Sequence, residues 1–260
     1  MDPRTQKLAR LLVQYSVNLK KGNLVKISGE PVTLPLIEAV YEEAVKVGAY
    51  PYIEIIVPRA QELMLQHGRP AQLAYINPMQ KLEVQKLDAR IHIWGSANTR
   101  FLSGIDPKRQ AEQQRAREPI FTKMFERIAR KEMTWVGTQY PTEADAQDAG
   151  MSLSEYEDFV YRAGHLHRGN PIKHWRTVEK EQMRIKRILD RVDKLHVQSK
   201  DTDLKLRVKG RKWISCHGTE NFPDGEIFTS PIEGSVEGVI RFSFPATYLG
   251  REVEDVRLEF

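Results

Sequence analysis

Residues 24–57, LVKISGEPVTLPLIEAVYEEAVKVGAYPYIEIIV, decide the fold. Leu24-Val25-Lys26-Ile27-Ser28 reads as a short strand, and Gly29 and Pro31 mark the step out of it. Leu36, Ile37, Val40, Ala44 and Val47 then recur at helical spacing up to Gly48, a favoured helix stop. Pro51 to Val57 is a second strand, apolar enough to predict cover on both faces. Strand, helix, strand with a crossover of this length is the unit of a parallel sheet.

Outward from this unit the same alternation continues. An amphipathic helix over Lys7–Asn18 precedes it, with Leu8, Leu11, Leu12 and Tyr15 on one face. After it come helical material from Arg59 to about Lys86, a strand over Ala89–Trp94, a long helix over Pro107–Lys131 and a strand over Met133–Gly137. Strand and helix thus alternate four times, which predicts a layered, mainly parallel α/β domain. A helical block over 142–193 follows, opened by the capping residues Thr142 and Ser152 and completed by a helix from about Pro171 to Val192.

Beyond Lys194 the periodicity falls to two, through Leu195, Val197, Leu204, Leu206 and Val208, then Val236–Phe244 and Val253–Phe260. The expected division is an α/β domain over 1–195 and a β-rich, α+β second domain starting at 196. The final residues, Val256-Arg257-Leu258-Glu259-Phe260, alternate like a strand without a turn or cap. Bare edges are avoided in proteins, so the strand's partners are expected beyond residue 260 and the second domain is expected to be incomplete.

Composition narrows the classes of function. No run reaches the roughly 18 apolar residues of a membrane span, and no apolar core follows the N-terminal charges. Cys216 is the sole cysteine, which fits a reducing cytoplasm, rules out an intrachain disulfide and leaves any metal to oxygen and imidazole ligands. The net charge of +5 arises from 40 basic against 35 acidic residues, mixed in sign along Lys108–Arg130 and Lys173–Lys194. Such mixing describes solvated helix faces better than a nucleic-acid-binding stripe.

Several catalytic patterns are missing. No glycine-rich phosphate loop occurs, and Glu30 stands where a phosphate would sit after the first strand. No HExxH motif occurs either. His165, His167 and His174 form the densest imidazole cluster, but on a helix positions two apart diverge by about 200°, which favours a structural or solvated role. His67 and His196 are isolated, and His92 lies inside a strand as a hydrogen-bonded core histidine would. Cys216 and His217 are adjacent and would face opposite ways in an extended chain, so Cys216 reads as a small buried thiol.

The most informative segment is Gly218-Thr219-Glu220-Asn221-Phe222-Pro223-Asp224-Gly225-Glu226-Ile227-Phe228-Thr229-Ser230-Pro231. Asn221–Gly225 is turn chemistry, and Glu226 follows at the mouth of a short apolar strand. A carboxylate held beside a tight turn suits a metal ligand, although a solvated turn glutamate would give the same pattern.

The phrase from Asn221 to Pro231 resembles the signature around a metal-ligand glutamate in the thermophilic-type metallo-aminopeptidases, the family of aminopeptidase T and aminopeptidase S. The resemblance reaches back through Lys20-Lys21-Gly22, Val47-Gly48-Ala49, Asp88-Ala89 and Pro141-Thr142-Glu143-Ala144 to Glu155-Tyr156-Glu157-Asp158-Phe159, Asn170-Pro171 and His174-Trp175. It implies a two-domain enzyme, homodimeric when complete, that uses two divalent cations (cobalt, zinc or magnesium) to remove N-terminal residues from peptides. It also implies Glu226 as a ligand, with the other ligands and the general base beyond Phe260. This chain alone is therefore expected to bind metal weakly or not at all and to be inactive. The competing expectation is a non-catalytic module of the same fold that recognises an acidic ligand or nucleic acid.

Overall fold

The computed structural model describes residues 2–244, 246–248 and 251–260. The chain divides into two compact units, Met1–Trp175 with Gly218–Asp224, and Arg176–His217 with Gly225–Phe260. No helix among the described residues is long and apolar enough to cross a membrane.

In the first unit, helix α1 (Pro3–Leu11) starts where the Asp2 carboxylate accepts the Arg4 backbone N–H and Pro3 takes the first helical position. A π-helical segment, Leu12–Ser16, continues it. Strand β1 (Leu24–Gly29), helix α2 (Leu34–Lys46) and strand β2 (Tyr50–Ile55) follow as the opening stretch predicts. Residues 58–86 hold three helices: α3 (Pro58–His67), α4 (Pro70–Leu73) and α5 (Pro78–Lys86), each opened by a proline. Then come β3 (Ala89–Trp94), α6 (Pro107–Ala129), β4 (Thr134–Gln139), α7 (Glu143–Asp148) and α8 (Leu153–Ala163). Thr142 caps α7, and Ser152 with Glu155 forms a capping box on α8. Helix α9 (Pro171–Leu189) begins in this unit and continues into the second.

Strands β5 (Lys194–Ser199), β6 (Thr202–Arg207) and β7 (Ile214–Cys216) belong to the second unit, whereas β8 (Asn221–Phe222) returns to the first. Strands β9 (Glu226–Phe228), β10 (Glu237–Arg241), β11 (Ala246–Tyr248), β12 (Arg251–Val253) and β13 (Arg257–Glu259) complete the second.

The first unit's sheet has the order β2-β1-β3-β4-β8, with every neighbouring pair parallel. One face is apolar: Val25, Ile27, Ile91, Ile93 and Val136 are buried, as are Leu36, Ile37, Val40 and Ala44 of α2. Each of these valine, leucine and isoleucine side chains contributes about 1.5–3 kcal/mol on burial. Alternate residues give the other face a polar character. There the buried Lys26 ammonium bridges Glu54 at 2.6 Å and Glu83 at 2.8 Å. Beside it the Ser28 hydroxyl and His92 Nδ1 share a hydrogen bond of 3.0 Å. His92 is the hydrogen-bonded strand histidine that its sequence position predicts, and burial pushes its pKa down to about 4.

Three expectations are corrected. Strand β2 lies at the sheet edge and leaves Tyr50 and Ile53 exposed, because an apolar run reads alike at the edge and in the centre. Asn221 and Phe222, read as turn residues, form a fifth parallel strand against β4. The terminal strand finds its partner inside the chain: β13 pairs antiparallel with β10, Leu258 opposite Ile240, in a four-stranded sheet ordered β13-β10-β6-β5. Alternation reveals a strand but not which other strand it joins. The mainly parallel layer followed by a separate antiparallel region is the predicted fold class.

Candidate metal centre at Glu226

The segment from Gly218 to Phe222 is stitched into the first unit. The buried Ser16 hydroxyl donates to the Gly218 carbonyl at 2.6 Å, and the Gly137 N–H donates to the Glu220 carbonyl at 2.8 Å. The Thr138 hydroxyl donates to the Phe222 carbonyl, also at 2.8 Å. The Phe222 ring is buried beside Trp175, whose indole N–H donates to the Gly164 carbonyl at 3.0 Å. Two glycines make room for that ring. A Cβ at Gly164 would stand 3.0 Å from Phe222 Cε1, and one at Gly218, where φ is +94°, would stand 3.1 Å from Phe222 Cδ2.

In the second unit, Glu226 opens β9 and lies directly opposite Cys216 on antiparallel β7. Directly opposed residues project to the same face. The Cys216 Sγ and a Glu226 carboxylate oxygen lie within 4.8 Å of one another. The buried Gln182 amide fixes the backbone here, donating to the Glu226 carbonyl at 3.3 Å and accepting from the Ser215 hydroxyl at 2.9 Å. The Glu226 side chain is exposed. Asp224 places a second carboxylate two residues before it in the chain, across Gly225.

This donor set fits part of a divalent-cation site. Cys216 Sγ and the Glu226 carboxylate stand close enough to be two of the ligands of one divalent ion, a soft thiolate and a hard oxygen donor. Sequence reasoning found Glu226 from its turn, but assigned Cys216 only to packing. Cys216 is indeed buried, and the β7–β9 register adds the facing carboxylate, a relation that sequence spacing does not contain.

The other candidates lie elsewhere. His196 bonds the exposed Asp203 at 2.7 Å on the β5–β6 hairpin, and His217 Nε2 stands 4.0 Å from Glu179. Glu30 accepts from the Ser96 hydroxyl at 3.0 Å, and burial pushes its carboxyl above the ordinary range. An acidic group held there agrees with the absence of a phosphate loop.

Comparison with known proteins supplies the class. The model of the thermophilic metalloprotease (M29) family matches residues 1–260, and the chain belongs to that family. Among its relatives is the Bacillus subtilis (strain 168) protein named Aminopeptidase AmpS, 24% identical over 299 residues that cover 100% of this chain and 69% of that one. Aminopeptidase T of Thermus thermophilus is 23% identical over 277 residues, covering 98% of this chain and 68% of the relative. The solved structure of wild-type AmpT from Thermus thermophilus superposes with a TM-score of 0.85 at 22% identity, covering 99% of this chain and 68% of that one, and shares the fold.

Proposed function

We propose that this protein is a metal-dependent aminopeptidase acting on peptides with a free N-terminus, and that Glu226 is one of its metal ligands. The observation that carries the reading is the placement of Glu226 at the first residue of β9, with its backbone anchored by Gln182 and its side chain facing the Cys216 thiol. Family membership and relatives named as aminopeptidases support the reaction class. When bound, a pair of divalent cations (cobalt, zinc or magnesium) would supply Lewis-acid polarisation of a scissile carbonyl and acidification of a water molecule.

The chain's own residues provide the holding chemistry. Glu226 offers a hard oxygen donor on a short strand, and the facing Cys216 offers a thiol that metal binding would deprotonate. A dinuclear centre needs more convergent donors than these, so the 260 residues by themselves are proposed to hold metal weakly and to be inactive. The functional division is proposed as an α/β part over 1–195 and a β-rich, metal-binding part from 196 on. A cytoplasmic location is supported by the single cysteine. A homodimer is proposed on the family resemblance alone.

The test is release of N-terminal residues from leucyl and aromatic amides with cobalt, zinc and magnesium, using this chain and a form extended to the length of its relatives. Activity in the extended form that Glu226→Ala abolishes supports the reading. Activity that survives the substitution contradicts it.

A further inference from the structure

In the folded chain His165 and His167 lie outside any helix, and only His174 is helical. Residues 164–170 form a loop between α8 and α9, and His165 adopts a left-handed φ of +57°. As a result the His165 and His174 rings stack, with centroids 3.7 Å apart and planes inclined 11°, and His167 meets His165 at 5.3 Å. All three belong to the first unit. No hydrogen bond to a described residue engages any of their ring nitrogens.

We propose that His165, His167 and His174 form a binding site for a borderline divalent transition-metal ion, of which Ni2+ and Zn2+ are the representatives. Imidazole nitrogen suits these ions, whereas Mg2+ and Ca2+ require oxygen donors. Stacked rings do not yet converge on one point, so ligation requires the exposed His167 and the half-buried His165 and His174 to turn about their side-chain bonds. The loop allows this, since a helix would have fixed His165 and His167 on diverging faces.

The local electrostatics favours the neutral form of His165 and His167. Burial and the neighbouring His174, His167 and Arg168 hold the His165 pKa below its ordinary value. Slight burial with Arg168, Arg162 and Lys7 does the same for His167, against the opposing charge of Asp158. Lone pairs are thereby available near neutral pH, but the same cationic neighbours repel a metal ion. Binding should tighten as salt screens that repulsion, the reverse of capture by carboxylates.

The test uses the protein carrying Glu226→Ala, so that failure here leaves the reading of Glu226 untouched. NiCl2 alone is titrated by calorimetry and by quenching of Trp175, whose indole centroid is 6.0 Å from the His174 ring. The expected result is one Ni2+ per chain, with affinity about tenfold weaker in each of His165→Ala, His167→Ala and His174→Ala, and no displacement by Mg2+. The exposed His167→Ala keeps the test valid if substitution of His165 or His174 disturbs folding. Unchanged Ni2+ affinity in both His167→Ala and His174→Ala would overturn the proposal, as would equal competition by Mg2+.

Discussion

The Phe222 ring meets the Trp175 indole edge to face, with centroids 5.2 Å apart and planes inclined 63°. Phe222 belongs to a two-residue strand, too short to hold itself by ladder bonds, so this contact with a residue 47 positions earlier is a main anchor of the segment.

Replacing Phe222 by alanine should therefore destabilise the first unit by about 3–5 kcal/mol, the range for emptying a buried aromatic site. Denaturant unfolding followed by tryptophan emission measures it. Phe222→Leu should cost less, since much of the volume is restored. Gly164→Ala should also destabilise, because its methyl group would press on Phe222 and Leu166.

Two buried hydroxyls hold the same segment through its carbonyls. Thr138→Val and Ser16→Ala each remove a donor and leave the Phe222 or Gly218 carbonyl without it, at a cost of about 1–3 kcal/mol. The valine variant retains the shape of threonine, so its loss isolates the hydrogen bond. Equilibrium unfolding of the two single variants is the check.

His92 gives the first unit a pH dependence of definite sign. Its pKa is lowered from 6.5 to about 4, chiefly by burial, so between these values the unfolded chain binds a proton that the native chain does not. Its contribution is constant above pH 6.5 and is lost as pH falls toward 4, with a slope of up to about 1.4 kcal/mol per pH unit. Unfolding free energies measured from pH 7 to pH 4 should show a shallower slope in His92→Gln than in the parent protein. The difference in slope separates titration from the simple loss of the Ser28 contact.

The fold was legible where periodicity and punctuation agree. Residues 24–57 specify strand, helix and strand because Gly29, Pro31 and Gly48 bound them, and Thr142 and Ser152 announce their helices through capping chemistry. What failed were pairings between distant residues. Nothing local tells that β2 sits at an edge, that Asn221 joins β4, or that Leu258 faces Ile240. The candidate site divides in the same way. Glu226 is visible from its turn, whereas the facing of Cys216 depends on a register, and the stacking of His165 on His174 depends on one left-handed residue.

The central claim, that Glu226 is a metal ligand, is tested most directly by Co2+ binding measured by equilibrium dialysis in protein carrying His165→Ala and His174→Ala, with and without Glu226→Ala. The account predicts weak Co2+ binding that falls by about tenfold or more when Glu226 is removed. Co2+ binding of equal strength with and without the Glu226 carboxylate would contradict it.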